Sequence, residues 1–196
     1  VIVVLFVGAA IFWSAFEQAA TSLNLFAANN TRNSVLGWAF PSSWFQSVNA
    51  LLIIIFAPVF AWIWMSLGKR DPSSPAKFAF GLVSVGMGFV VMVAAAKASA
   101  NGVLVSPWWL VATYLLHTIG ELSLSPVGLS SMTKLAPDRV KGMMMGVWFL
   151  AASVGNLIAG GVLGFYATFT LPQVFGAVAA FAIVAGLVML APVLPI

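Results

Sequence analysis

Two carboxylates stand inside apolar stretches of this chain, Glu17 in "FWSAFEQAATSL" and Glu121 in "HTIGELSLSPVGLSS". The other two acids, Asp71 and Asp138, fall in the turn-rich segments "GKRDPSSP" and "APDRVKG". An ionisable group at membrane depth is costly, so it faces a partner, a cavity or a substrate. No lysine or arginine lies deep in an apolar stretch to neutralise either acid. Three readings stay open: the partner lies outside this chain, the partner is a substrate cation, or the carboxyl is protonated against a neighbouring helix.

Helical spacing sets neighbours beside each acid. Trp13 and Glu17 are four apart and share a face. His117, Glu121 and Ser125 follow one another at the same spacing and predict a polar stripe, with Pro126 directly after it and Gly120 and Gly128 on either side. Such a proline-bent helix frees carbonyls where it lines a cavity. His117 could relay protons or could sit neutral, bonded to another helix. Asn49, in "SWFQSVNALLIIIFAPVFAW", could hold an amine or bridge two helices, and Asn156 reads as a bridge. Trp148 and Phe149 are either packing residues or pocket walls. One histidine and no cysteine cannot assemble a common zinc site. Phosphate-loop and nucleophile-elbow patterns are missing, so an enzyme is not expected.

These residues need elements to carry them, and the composition says which. The chain of 196 residues is 62% hydrophobic and 6% charged, with a mean hydropathy of +1.10. That balance predicts an all-α polytopic membrane protein. Six apolar stretches are expected to span, at roughly 1–28, 43–67, 76–100, 108–135, 142–167 and 172–194. Of ten prolines only Pro58 and Pro126 fall inside a stretch, where each is expected to kink its helix. Val1 opens what reads as a helix entered part-way, so a longer parent is expected. Gly142 with Gly146, and Gly160 with Gly164, form small-residue pairs suited to close helix approach. Lys69, Arg70, Lys77, Lys134, Arg139 and Lys141 cluster at two connections, which places those connections and both ends of the chain in the cytoplasm. Lys97 is expected to reach back to the outer interface. The basic residues form no stripe, so the net charge of +4 does not indicate a nucleic-acid partner.

Four runs together have a family look: "FWSAFEQAATSLNLFA", "FPSSWFQSVNALLIIIFAPVFAW", "GELSLSPVGLSSMTKLAP" and "GMMMGVWFLAASVGNLIAG". In this order they resemble the bacterial proton-dependent oligopeptide transporters, the POT branch of the major facilitator superfamily. The resemblance runs along essentially the whole chain. It implies that the six stretches are helices 7–12 of a twelve-helix carrier, the C-terminal bundle of a pair that rocks about a central site. The N-terminal six-helix bundle would then be the missing partner. The implied activity is proton-coupled symport of di- and tripeptides across the inner membrane by alternating access, with the proton gradient in place of any cofactor. By the same resemblance Glu121 receives the peptide amino terminus, with Ser125, Asn49 and Trp13 around it. Glu17 exchanges a proton and an arginine partner from the missing bundle, and Trp148 and Phe149 shape a side-chain pocket and the inner gate. The family's acidic residue near the outer end of the first of these helices has no counterpart in "AANNTRN".

Two rival readings of another kind remain at this stage. One is a carrier of the same fold for a drug, nitrate or another nitrogenous solute. The other is a stand-alone six-helix scaffold or half-channel acting as a homodimer.

Overall fold

The computed structural model describes residues 2–166 and 168–191. Pro192, Pro195, Ala167 and the last residues of the stretch expected at 172–194 lie outside the described residues. Among those described are seven α-helices: α1 Ile2–Phe16, α2 Ser22–Asn30, α3 Phe45–Leu67, α4 Ser74–Ala98, α5 Trp108–Leu135, α6 Lys141–Phe165 and α7 Leu171–Leu190. Five stretches are long and apolar enough to cross a membrane: α1 with α2, α3, α4, α6 and α7. At 28 residues α5 is long enough too, but it carries His117, Glu121 and a run of hydroxyls and lies outside that set.

The stretch expected at 1–28 is not one helix. It stops at Phe16, passes through a 3-10 turn at Glu17–Ala19, and resumes at Ser22. Thr21 at the join leaves the helical region, with φ −115° and ψ −99°. No glycine or proline causes this break. Gln18 does: it is fully buried, donates to the carbonyls of Ser14 (3.2 Å) and Ala159 (3.4 Å), and accepts from Ser22 Oγ (2.7 Å) and Thr21 Oγ1 (3.2 Å). An amide bonded to another helix holds the backbone in a turn that satisfies its freed groups locally. Glu17 therefore sits at a helix break.

Packing centres on α4, which lies between α5 and α7, while α1 lies along α6. Phe78, Leu82, Val85, Phe89 and Met92 repeat at helical spacing on α4, and all are fully buried. In lipid such a face is held by close van der Waals fit rather than by exclusion of water. Glycine makes that fit possible where backbones cross. A Cβ on Gly120 would come within 2.8 Å of the Gly81 carbonyl, and one on Gly155 within 2.5 Å of Trp13 Cβ. Among the described residues no atom of another element lies within 4 Å of such a Cβ on Gly142, Gly146, Gly160 or Gly164, so these pairs supply no contact there. By contrast α3 touches chiefly α5 and buries only Phe45. Its C-terminal end is pinned by Lys77 on α4, which pairs with Asp71 at 2.7 Å and lies 4.3 Å from the Trp64 ring centroid.

Between α2 and α3 the chain makes a small hairpin, β1 Ser34–Val35 with β2 Trp38–Ala39. Its two turn residues, Leu36 (φ 51°) and Gly37 (φ 84°), both take the left-handed conformation that matches strand twist. Arg32 N donates to the Val105 carbonyl at 2.8 Å, and Val105 N to the Asn30 carbonyl at 2.9 Å, which ties this end of α2 to the lead-in of α5.

Candidate functional site

Pro107 starts α5 and Ala136–Pro137 ends it, so the register of the helix is set by its sequence. That register turns Glu121 towards α3. Asn49 Nδ2 donates to Glu121 Oε2 at 3.2 Å, and Asn49 Oδ1 lies 2.6 Å from Thr118 Oγ1. Both Asn49 and Glu121 are half-buried, while Thr118 is fully buried. Glu17, at the break after α1, is also half-buried and lies close enough to repel Glu121. Among the described residues neither acid is paired with a cation; the two salt bridges found are Lys77–Asp71 and Lys141–Asp138. Two acids thus converge in one region with no positive charge between them. Such a region can hold an ammonium group, a guanidinium or a proton.

The other predicted residues divide. Ser125, one turn beyond Glu121, has a buried hydroxyl with no partner, free to serve a ligand. Trp13 is half-buried, in edge contact with Phe12 and Phe16, and its indole Nε1 is buried and unpartnered. Asn156 lies beside Glu17 but bonds the Ala152 carbonyl of its own helix at 3.3 Å.

His117 does not extend the stripe. It is fully buried against Gly88, with the Phe89, Phe16 and Tyr114 rings at 5.1, 6.0 and 6.4 Å. Neither ring nitrogen has a hydrogen-bond partner. At this level the α5 face carrying His117 meets α4 at Gly88. Trp148 is buried as well. It is only 4% exposed, closes on Gly128, and meets the Phe78 ring edge-on, so its indole packs α6 against α4 and α5 instead of lining a pocket. Its neighbour Phe149 is exposed.

Two residues of the site escaped sequence reasoning. Thr118 is three residues before Glu121 in "HTIGE", and that spacing was the available signal. Gln18 directly follows Glu17, and an uncharged amide in an apolar stretch deserved the weight given to Asn49. An apolar groove of about 470 Å³ between α1, α6 and α7, lined by Ile158, Val162, Phe165 and Phe181, reaches Ser14 and Ala15 but contains no charged group.

Comparison with known proteins places this geometry. The sequence model of the POT family matches residues 1–182. The peptide transporter YePEPT of Yersinia enterocolitica is 55% identical over 161 residues, which is 80% of this chain and 32% of that protein. Dipeptide and tripeptide permease A of Escherichia coli is 40% identical over 164 residues, covering 84% of this chain and 33% of the permease. The chain therefore spans about a third of the length of these relatives. A crystal structure of a peptide transporter POT in complex with sulfate superposes with a TM-score of 0.92 at 43% identity, over 97% of this chain and 39% of that one. A POT family transporter in complex with 5-aminolevulinic acid superposes at 0.88 with 32% identity, over 95% of this chain and 39% of that one.

Proposed function

This chain belongs to the POT family, a family of multi-pass membrane transporters rather than enzymes, and we propose that it forms the C-terminal six-helix bundle, helices 7–12, of a proton-coupled symporter of di- and tripeptides. Its partner is the N-terminal bundle of the same carrier, in the inner membrane, with the connections after α3 and α5 and both ends of this chain in the cytoplasm. The observation that carries the reading is Glu121: a carboxylate steadied by the Asn49 amide at 3.2 Å and paired with no cation among the described residues. An ammonium group completes that arrangement, and a peptide amino terminus supplies one. Ser125 adds a free hydroxyl one turn away, Trp13 and Phe149 supply apolar wall, and Trp148 supports the wall from behind.

Glu17 is the proton-coupling group in this half. It stands at a helix break, where a small change of backbone turn moves its carboxyl between surroundings. A carboxyl that gains a cationic partner in one state and loses it in the other takes up a proton and gives it back, which couples the proton gradient to the direction of rocking. The repulsion between Glu17 and Glu121 makes a cation or proton at one acid felt at the other.

The test uses the full-length transporter in proteoliposomes and follows labelled dialanine with and without an inward proton gradient. The expected result is gradient-driven uptake that Glu121→Gln abolishes with loss of binding, while Glu17→Gln loses the gradient's effect and keeps peptide exchange. Dialanine bound normally by Glu121→Gln, or full gradient-driven uptake by Glu17→Gln, overturns the respective assignment. A second reading, a carrier of another small amine on the same fold, is favoured by the relative in complex with 5-aminolevulinic acid. Competition against labelled dialanine separates the two.

A further inference from the structure

Thr118 has one hydroxyl proton and two acceptors within reach of it. Asn49 Oδ1 is 2.6 Å away across the α3–α5 contact, and the Tyr114 carbonyl is 2.8 Å away on the preceding turn of α5. The choice between them fixes the orientation of the Asn49 amide. When the proton points to Asn49 Oδ1, the amide presents Nδ2 to Glu121, which is the donor an ionised carboxylate needs. When it points to the Tyr114 carbonyl, Thr118 Oγ1 turns lone pairs towards α3. The amide then fits only if turned over, with Nδ2 donating to Thr118 and Oδ1 facing Glu121. Two oxygens facing each other without a proton repel, so the second arrangement requires a protonated Glu121 that donates to Asn49 Oδ1. Both arrangements match a donor to an acceptor at each contact of the trio with the heavy atoms in nearly the same places, whereas an amide turned over against an ionised Glu121 sets two oxygens face to face.

We propose that Thr118 is a positioning residue that lets the Asn49 amide turn over as Glu121 gains or loses its proton, so that the amine-receiving state of the site exists only when Glu121 is ionised. This deepens the reading of Glu121 as the amine receptor and rests on it. No covalent step beyond protonation of Glu121 is involved: the Thr118 proton stays on its oxygen and only rotates, and the amide turns about its χ2 bond. Glu17 approaches Glu121 from the turn after α1. His117, one turn earlier on α5, is shut away among rings. Asn49, from α3, is the only side chain among the described residues that donates to the carboxylate.

The experiment uses the full-length transporter in proteoliposomes and detergent. Thr118→Val removes the hydroxyl at nearly equal volume, and Thr118→Ser restores it. Without the hydroxyl the amide loses the partner that orients it. The dialanine KM is then expected to rise roughly 10-fold with little change in maximal rate, the effect of one hydrogen bond to a charged site. Thr118→Ser is expected to return the KM close to that of the wild type. A structural defect alone would not shift the infrared band of the protonated Glu121 carboxyl, identified by its disappearance in Glu121→Gln. That band is expected to shift in Thr118→Val and not in Thr118→Ser, and Thr118→Ala gives the same comparison if the valine variant does not fold. Wild-type KM and an unmoved band in the hydroxyl-free variants overturn the relay, while Glu121→Gln that binds dialanine normally overturns the reading beneath it.

Discussion

Gly120, next to Glu121, and Gly176, on α7, offer a sign test of the packing that positions the site. Each is a helical glycine, and alanine there gains about 1 kcal/mol in helix propensity. At Gly176 the nearest atom to an added Cβ is Val93 Cγ2 at 3.8 Å, an ordinary contact, so nothing opposes that gain. At Gly120 the Cβ would meet the Gly81 carbonyl oxygen at 2.8 Å and Phe12 Cε2 at 3.2 Å. The carbonyl belongs to the backbone of α4 and cannot rotate away, so α5 must lift off α4 by roughly half an ångström. Overpacking of this kind costs about 1–3 kcal/mol. Because propensity is common to both variants, the difference between them is the overpacking cost itself. In a carrier about three times as long as this chain it corresponds to thermal midpoints roughly 1–3 °C apart, with Gly176→Ala above the wild type and Gly120→Ala at or below it. The assay is thermal unfolding of the purified full-length transporter, and dialanine uptake is the second readout, since Glu121 moves with its neighbour. Equal midpoints for the two variants would refute the α4–α5 contact on which the placement of Glu121 depends.

Three further substitutions test the supports. Gln18→Leu removes the acceptor of the buried Ser22 hydroxyl and the donor to the Ala159 carbonyl, and is expected to cost about 1–3 kcal/mol in the same unfolding assay. Asp71→Asn strips the buried Lys77 of its carboxylate and is expected to cost about 1 kcal/mol, at the low end because Asp71 is 38% exposed. Lys77→Met, which removes the charge and keeps the bulk over Trp64, is expected to be nearly neutral by comparison.

What could be read from the sequence was whatever local chemistry decides. Pro107 and Pro137 bracket α5, and Glu121 stands out because little else in an apolar helix is charged. What escaped depends on which faces meet. The break after Phe16 has no glycine or proline to announce it, because it is held by an amide reaching across to α6. The hairpin turn uses Leu36–Gly37 where an Asn-Gly pair would have been the recognisable signal. On α6 the spacing rule selected Gly142, Gly146, Gly160 and Gly164, yet the glycine that meets α1 is Gly155. Thr118 was overlooked because hydroxyls in apolar helices commonly bond back to their own helix, as Ser123 does to the Ile119 carbonyl at 2.8 Å. Only the position of α3 reveals that Thr118 has a second partner. For Trp148 spacing left packing and pocket wall both open, because it does not tell a wall from the buttress behind it.

The near-nakedness of α3 bears on how such a chain is made. Synthesis releases helices in order, and each must remain in lipid until its neighbours arrive. With only Phe45 buried among the described residues and an almost wholly apolar sequence, α3 is suited to wait alone. The opposite holds for α5, whose acid, histidine and hydroxyls make it a poor guest for hydrocarbon. By the time α5 emerges, Asn49 on α3 and the glycine-notched face of α4 are already in place to receive it. The order of helices along the chain thus acts as a chaperone, delivering the polar segment last among the three and straight into its partners.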